Sequence, residues 1–417
     1  MDRYEKGEKL GDGTYGVVYR GVERATGRVV AMKKVLMRHR DKEGIDRTAI
    51  REIKLLKELD SEYVVRLYDS FVHKDNIWLV LEYCHNNLEH VITDRSLSVS
   101  EADVKAYARM AALGLAHCHE RHVIHRDIKP NNFLFGQDGR LKLIDFGLSR
   151  TFGSPNTRYS PQVFNIWYRS PELLLGARKY GLAADVWALG CCIAELYRRK
   201  PLFVAGSELG VLGRILDTLG SPTKSDWPDL TALPNAVMVP RERKAPVPLS
   251  SIVPGASPAA LDLLGRMLRW NPAARPTVAE VLAHPYFTGG VADTPMERLP
   301  HGRSQDEKAS GSGGGANGDA GQGNDSGSEP PRTRRRINEA GDAVAGDANG
   351  ARTTGGAVAR AAVGAGGSLP APARGAVTCG DKPAAGLHAA HAAQETPARK
   401  LNMATMFDDC DLTPGPG

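Results

Sequence analysis

The chain has 417 residues, with 54 Lys and Arg against 48 Asp and Glu, a formal net charge of +6 and six cysteines. A soft prior of about 150 residues per unit gives two or three units, and so mild a charge makes no case for nucleic-acid binding. The cysteines form no Cys-x-x-Cys pair, which argues against a zinc site or disulfide framework and for a reducing compartment.

The first ten residues are charged and lack the apolar stretch of a secretory leader. No apolar run approaches the roughly 20 residues that span a bilayer, so no membrane association is expected. Tyr4–Gly11, Val17–Val22 and Arg28–Val35 are rich in strand formers, with a turn signal at Ala25-Thr26-Gly27. Residues 45–59 have helical spacing, with Ile50, Ile53, Leu56 and Leu59 along one side. Val64–Phe71 and Ile77–Tyr83 return to strand patterns. From about 88 to 287 helical patterns dominate, as in Glu101–Glu120 and Ala183–Tyr197. The expected class is α+β: a small β-rich lobe over 4–86 and a larger helical lobe over 87–287. Beyond that, Gly, Ala and Ser dominate, and 288–417 is expected to be a disordered tail with too little apolar surface to offset ordering entropy. Within it, Arg332-Thr333-Arg334-Arg335-Arg336 reads equally as a nuclear import signal and as a solvated charge cluster. The apolar Leu401, Met403, Met406 and Phe407 near the end are suited to docking.

Gly11-Asp12-Gly13-Thr14-Tyr15-Gly16 fits G-x-G-x-x-G, whose glycines let backbone approach phosphates closely. The motif also opens dinucleotide-binding folds, where a helix follows it. Here Val17-Val18-Tyr19-Arg20 follows, which favours a hairpin over a nucleotide, with Val18 against the base. Lys33 in Val30-Ala31-Met32-Lys33 is placed to reach α- and β-phosphates, and Glu52 on the next helix to hold it. Neither residue is distinctive alone, because both residue types are common on solvated strand and helix faces.

His125-Arg126-Asp127-Ile128-Lys129-Pro130-Asn131-Asn132 is far more specific, and Asp145-Phe146-Gly147 follows it after a short apolar strand. In phosphoryl transfer Asp127 orients the acceptor hydroxyl and takes its proton. Lys129 steadies charge on the moving group, and Asn132 and Asp145 hold Mg2+. Positioning and charge neutralisation are what this chemistry needs, and each group for them is present.

In this order and spacing the residues resemble a protein kinase across 4–287, and specifically the cyclin-dependent kinase family. Thr48-Ala49-Ile50-Arg51-Glu52 is similar to that family's cyclin-binding helix. Trp167-Tyr168-Arg169-Ser170-Pro171-Glu172 is similar to its W-Y-R-A-P-E, with Ser170 for Ala, and Asp185-Val186-Trp187 and Ala274-Arg275-Pro276-Thr277 match further landmarks. The resemblance implies the two-lobe protein kinase fold and transfer from ATP, with Mg2+, to Ser/Thr-Pro sites. It implies ATP contacts from Leu10, Gly11, Gly13, Gly16, Val18, Ala31 and Lys33, and from the hinge at Glu82 and Cys84. By the same resemblance Asp185 braces the catalytic loop, Arg275 pairs with Glu172, and the Glu52 helix stays displaced until a cyclin packs against it. Ser160 and Ser154 match activating phosphosites, and Thr14 and Tyr15 inhibitory ones. Arg51, Arg126 and Arg150 would gather a phosphate, while Val163 and Arg169 would shape a pocket for proline.

Two branches of the family remain open. Residues 47–56, Phe152-Gly153-Ser154-Pro155-Asn156 and residues 175–181 are similar to the CDK-activating kinase, the catalytic subunit of transcription factor H. That favoured branch implies a cyclin H-like partner, an assembly factor, activation loops and the RNA polymerase II tail as substrates, and the nucleus, with the cytoplasm as a second location. Thr14-Tyr15 and Arg150 look more like cell-cycle members. A pseudokinase scaffold is the alternative from another class, but such proteins typically lack the lysine or one of the aspartates that stand here as Lys33, Asp127 and Asp145. Four positions depart from the family: Asn165 replaces a Thr that bonds the catalytic Asp and Lys, Asn87 replaces an Asp that contacts ribose, Leu81 replaces a Phe, and Asp46 replaces a Pro.

Overall fold

A computed structural model of the chain describes residues 1–13, 16–35, 47–151, 165–240 and 242–300. The expectations for Thr14, Tyr15, Asp46, Ser154, Ser160, Val163 and the segments 332–336 and 399–412 lie outside the described residues.

Strands β1 (Tyr4–Gly13), β2 (Gly16–Glu23), β3 (Val29–Val35), β4 (Leu67–His73) and β5 (Asn76–Glu82) form one antiparallel sheet in the order β1-β2-β3-β5-β4. Helix α1 (Arg47–Glu58) interrupts them in sequence. Strand alternation divides the lobe's apolar residues between two faces. Val30 and Met32 pack with Tyr4, Trp78 and Val80 on one. Val35 packs with Ala49, Ile53, Ile77 and Leu79 beneath α1 on the other. The same period of two puts Lys33 on the α1 side with Val35. The close crossing of β2 over β3 requires glycine at 16, where a Cβ would lie 2.4 Å from the Lys34 carbonyl oxygen.

The second lobe begins with β6 (Cys84–Asn87) and α2 (Leu88–Thr93), which Asn87 caps by accepting the His90 N–H at 2.9 Å. Helix α3 (Glu101–Glu120) starts at a reciprocal Ser100–Asp103 capping box, so both polar side chains satisfy otherwise orphan amides. There follow β7 (Val123–Ile124), β8 (Phe133–Gly136), β9 (Leu141–Leu143) and β10 (Arg150–Thr151), with β10 pairing on β7 and β6-β8-β9 forming a small sheet. Helices α4 (Pro171–Leu174), α5 (Ala183–Arg198), α6 (Glu208–Leu219), α7 (Leu249–Ile252), α8 (Pro258–Met267), α9 (Val278–Leu282) and α10 (Pro285–Thr288) complete the lobe. Helix α5 is apolar nearly all round and is the buried axis of this lobe, with Val186, Trp187, Leu189 and Ile193 in its main core. A Cβ at Gly114 of α3 would lie 2.5 Å from the Tyr63 carbonyl oxygen, which itself accepts the Leu143 N–H. That glycine therefore lets α3 approach the strand leading to Asp145. No described helix is long and apolar enough to cross a membrane.

The packed domain continues past Phe287, which corrects the expectation that disorder starts at 288. Residues 289–300 lie against α3. Lys105 Nζ donates to the carbonyls of Gly289 and Val291, both at 2.7 Å, Arg109 pairs with Asp293, and Tyr107 donates to the Pro300 carbonyl. Leu299 is buried in the main core.

Candidate active site

Sheet register lines up Gly11, Val18, Lys33 and Leu79 as consecutive partners across β1, β2, β3 and β5. Gly11 therefore lies two strands from Lys33, with Val18 between them. Open space surrounds the position a Gly11 Cβ would take, unlike the crowded Gly16. Ala31 pairs with Leu81, and Leu10 stands exposed at the outer end of β1. Gly13 ends β1 opposite Gly16.

Lys33 Nζ donates to Glu52 Oε1 at 2.6 Å and to Asp145 Oδ1 at 3.0 Å. Burial opposes its charge, but Glu52 and Asp145 outweigh burial and hold the ammonium well above the ordinary lysine range. Burial likewise pushes the Asp145 carboxyl up, and Lys33 reverses this and holds it below the usual carboxylate range. Lys33 and Asp145 are thereby held in charged form. The α1 helix is thus not displaced: Glu52, only 2% exposed, already faces Lys33, and α1 packs on the turn Phe146–Leu148. Ile53 packs in the lobe core and Ile50 is half-buried.

The catalytic loop converges on one oxygen. Lys129 Nζ reaches Asp127 Oδ2 at 2.7 Å and Asn132 Nδ2 reaches the same atom at 2.8 Å. Asp127 Oδ1 accepts no hydrogen bond from any described residue, so it remains for an incoming hydroxyl. Asn132 Nδ2 also donates to the Asp127 carbonyl, at 2.7 Å, which leaves its Oδ1 as the unengaged atom. His125 accepts the Asp127 N–H on Nδ1 and therefore carries its proton on Nε2, 3.0 Å from the Ile144 carbonyl. This ring ties the catalytic loop to the strand that delivers Asp145, and Phe146 packs edge-on against it at 5.0 Å.

Asp185, fully buried on α5, accepts the backbone amides of His125 at 2.8 Å and Arg126 at 2.9 Å, with His119 Nε2 3.1 Å away. Its bracing role is realised, and His119 joins it without any sequence pointer. Arg126 and Asp145 hold positive φ, 74° and 64°, a sparsely populated backbone that these bonds keep in place. Arg275 forks onto Glu172 at 2.8 and 2.7 Å. The pairing of β10 with β7 brings Arg150 beside the strand that leads into Arg126, while Arg51 is half-buried on α1.

The hinge residues Glu82 and Cys84 are half-buried, and burial pushes the Cys84 thiol far up, so it stays protonated. Lys142 Nζ, which the motifs did not single out, bonds Glu82 Oε1 at 3.0 Å, Asp138 Oδ2 at 3.1 Å and the Glu62 carbonyl at 3.1 Å. The segment before α4 is fixed by successive side chains: Trp167 Nε1 donates to the Ala205 carbonyl at 2.9 Å, Tyr168 Oη to Glu195 at 2.7 Å, and Arg169 pairs with Glu208. Asn165 is exposed, and its side chain accepts the Trp167 N–H at 3.2 Å, so its amide serves this turn and makes no hydrogen bond to Asp127 or Lys129. Asn87 is likewise engaged as the α2 cap.

Residues 4–287 match the protein kinase domain family. The chain is 49% identical over 299 residues to Cyclin-dependent kinase D-1 of Oryza sativa subsp. japonica, covering 72% of this chain and 70% of that protein. It is 45% identical over 303 residues to Cyclin-dependent kinase 7 of Dictyostelium discoideum, covering 72% and 84% respectively. Among solved structures it is similar to a chain of the CAK complex of Chaetomium thermophilum bound to ATP-gamma-S, with TM-score 0.67, 38% identity, and coverage of 72% of this chain and 96% of that one.

Proposed function

We propose, from the premise that this chain belongs to the protein kinase family, that it moves the γ-phosphoryl group of ATP to Ser/Thr-Pro sites in the manner of its CDK-activating relatives. The activity class is a cyclin-dependent serine/threonine protein kinase of the CDK-activating type. The observation that carries the reading is the joined geometry of Lys33, Glu52 and Asp145 on one side and Asp127, Lys129 and Asn132 on the other.

Lys33, held charged by Glu52, orients the α- and β-phosphates. Leu10, Val18 and Ala31 enclose the base beside the hinge backbone of Glu82 and Cys84, and the glycines at 11, 13 and 16 admit the phosphates. The donor set suits Mg2+: the carboxylate of Asp145 and the amide oxygen of Asn132 are hard oxygen ligands and would hold the ion. Bound there, it would supply positive charge against the phosphates. Asp127 Oδ1 accepts the hydrogen bond of the target hydroxyl and takes its proton, and Lys129 steadies charge on the transferred group.

Arg51, Arg126 and Arg150 receive phosphate on the segment that carries Ser154 and Ser160. Phosphorylation of Thr14 and Tyr15 opposes ATP binding. Val163 and Arg169 select proline. The partner is a cyclin, of the cyclin H type, with an assembly factor; the substrates are activation loops of other cyclin-dependent kinases and the polymerase tail, and the site of action is the nucleus. The test is a kinase assay of the full chain with its co-purified cyclin on those two substrates and a linker histone, alongside Lys33→Met and Asp145→Asn. Each substitution is expected to lower kcat by at least on the order of 100-fold. Wild-type rates in either variant would sink the assignment, and preference for the histone would move the enzyme to the cell-cycle branch.

A further inference from the structure

Arg28 and Arg66 have no place in the chemistry above. Both are exposed, Arg28 just before β3 and Arg66 just before β4, the edge strand of the sheet. With Leu67 and the exposed Tyr68 they line an open cleft of about 560 Å³. The Arg28 guanidinium lies over the Tyr68 ring, 4.7 Å from its centroid. The neighbouring carboxylates already hold other cations. Glu23, whose N–H donates to the Arg28 carbonyl, pairs with Arg3 at 3.3 Å. Glu82, which accepts the Arg66 N–H, pairs with Lys142 at 3.0 Å. Among the described residues neither Arg28 nor Arg66 makes an ion pair. The cleft therefore offers two uncompensated guanidiniums beside an aromatic face.

We infer that this cleft is the docking site of a segment of the same chain, Met406-Phe407-Asp408-Asp409-Cys410-Asp411-Leu412, with its carboxylates on the two guanidiniums and Phe407 against Tyr68. The segment lies outside the described residues, and its composition is what singles it out. Residues 301–400 contain no Met, Phe, Tyr or Trp, whereas this stretch opens on Met406 and Phe407. Residues 401–417 carry Asp408, Asp409 and Asp411 and no Lys or Arg, so their charge complements the cleft. A single exposed ion pair is weak, but Arg holds carboxylate through paired hydrogen bonds and also stacks on rings. The intervening chain is long enough. The 105 residues 301–405, as a Gly-rich coil, span about 55 Å, and a domain of this size is about 50 Å across. Tethering then presents the segment at an effective concentration on the order of 1 mM, so a weak contact is enough to populate the docked state.

The test is hydrogen exchange read by mass spectrometry on the full chain with its co-purified cyclin. It is done in the cold, because so small a contact opens well below the domain's own thermal midpoint. At low salt, the wild-type amides of 406–412 are expected to exchange on the order of tenfold more slowly than those of 350–399. High salt is expected to remove this protection, and dilution to leave it unchanged, since the contact is within one chain. Arg28→Glu with Arg66→Glu is expected to abolish it. So is the triple variant Asp408→Asn, Asp409→Asn, Asp411→Asn, which leaves the kinase domain untouched. Adding Asp408→Arg and Asp409→Arg to the arginine variant is expected to restore part of the protection. Equal exchange of the two stretches in wild type would overturn the inference. So would protection that survives reversal of the arginines, which would put the segment on another surface, or protection lost on dilution, which would put it on a second copy.

Discussion

The carboxyl of Glu195 makes stability depend on pH near neutrality, and a single substitution isolates the effect. Glu195 lies on α5, 3% exposed, and accepts the Tyr168 hydroxyl at 2.7 Å. Burial pushes its carboxyl up from 4.5 to about 7; Glu89 adds to the rise, while the Tyr168 hydrogen bond and Arg198 oppose it. The folded chain therefore keeps a proton, between about pH 4.5 and 7, that the unfolded chain has released. Stability falls as pH rises through that window and is level above it. At about 1.4 kcal/mol per pH unit, ionisation costs the fold about 3 kcal/mol above pH 7. Glu195→Gln mimics the protonated side chain at every pH. In urea denaturation followed by tryptophan fluorescence, variant and wild type are expected to match at about pH 4, below the window, and the variant to be more stable by about 3 kcal/mol at pH 8. Parallel pH profiles would refute the reasoning, since they would mean that Glu195 ionises in the fold as readily as in the unfolded chain.

Ser170, fully buried, has a hydroxyl with no hydrogen-bond partner, so Ser170→Ala is expected to leave stability unchanged or raise it by up to about 1 kcal/mol; a loss above that in the same urea assay would reveal a partner for the hydroxyl. Truncation after Thr288 strips Lys105, Arg109 and Tyr107 of their acceptors on 289–300. It is expected to cost about 3 kcal/mol or more, whereas truncation after Pro300 is expected to leave the thermal midpoint unchanged; equal midpoints for the two truncations would show that the strap adds nothing.

The site was legible where chemistry demands a fixed residue type in a fixed local string. Asp127, Lys129 and Asn132 lie within six positions, and one loop conformation brings all three together. Lys33 and Glu52 were legible only in company: neither is distinctive alone, and it is their order after the glycine-rich loop and before the catalytic loop that pairs them, as the 2.6 Å contact shows. Lys142 and His119 were not legible. Each is a single polar residue in a half-apolar element, and its partners, Glu82 and Asp185, lie about 60 positions away. Nothing in a local pattern separates such a residue from a solvated one. The strap 289–300 was misread because three of its anchors are its own backbone carbonyls, about which composition says nothing, and its side-chain anchors, Asp293 and Leu299, are too few to stand out in composition.

The displaced helix that the resemblance implied is a matter of energy balance rather than of residue type. Lys33 is charged and buried, and the fold must give it anions. Asp145 and Glu52 both reach it, and removing either would leave a less compensated buried charge, an arrangement that costs several kcal/mol. On the helix side, Ala49 and Ile53 are already sealed into the lobe core. Swinging α1 away would break the ion pair and expose this apolar surface together. A partner at α1 therefore has no need to create the Lys33–Glu52 pair. It needs only to deepen an existing minimum, and the half-buried Ile50, beside the sealed Ile53, is the apolar side chain of α1 with surface left to give.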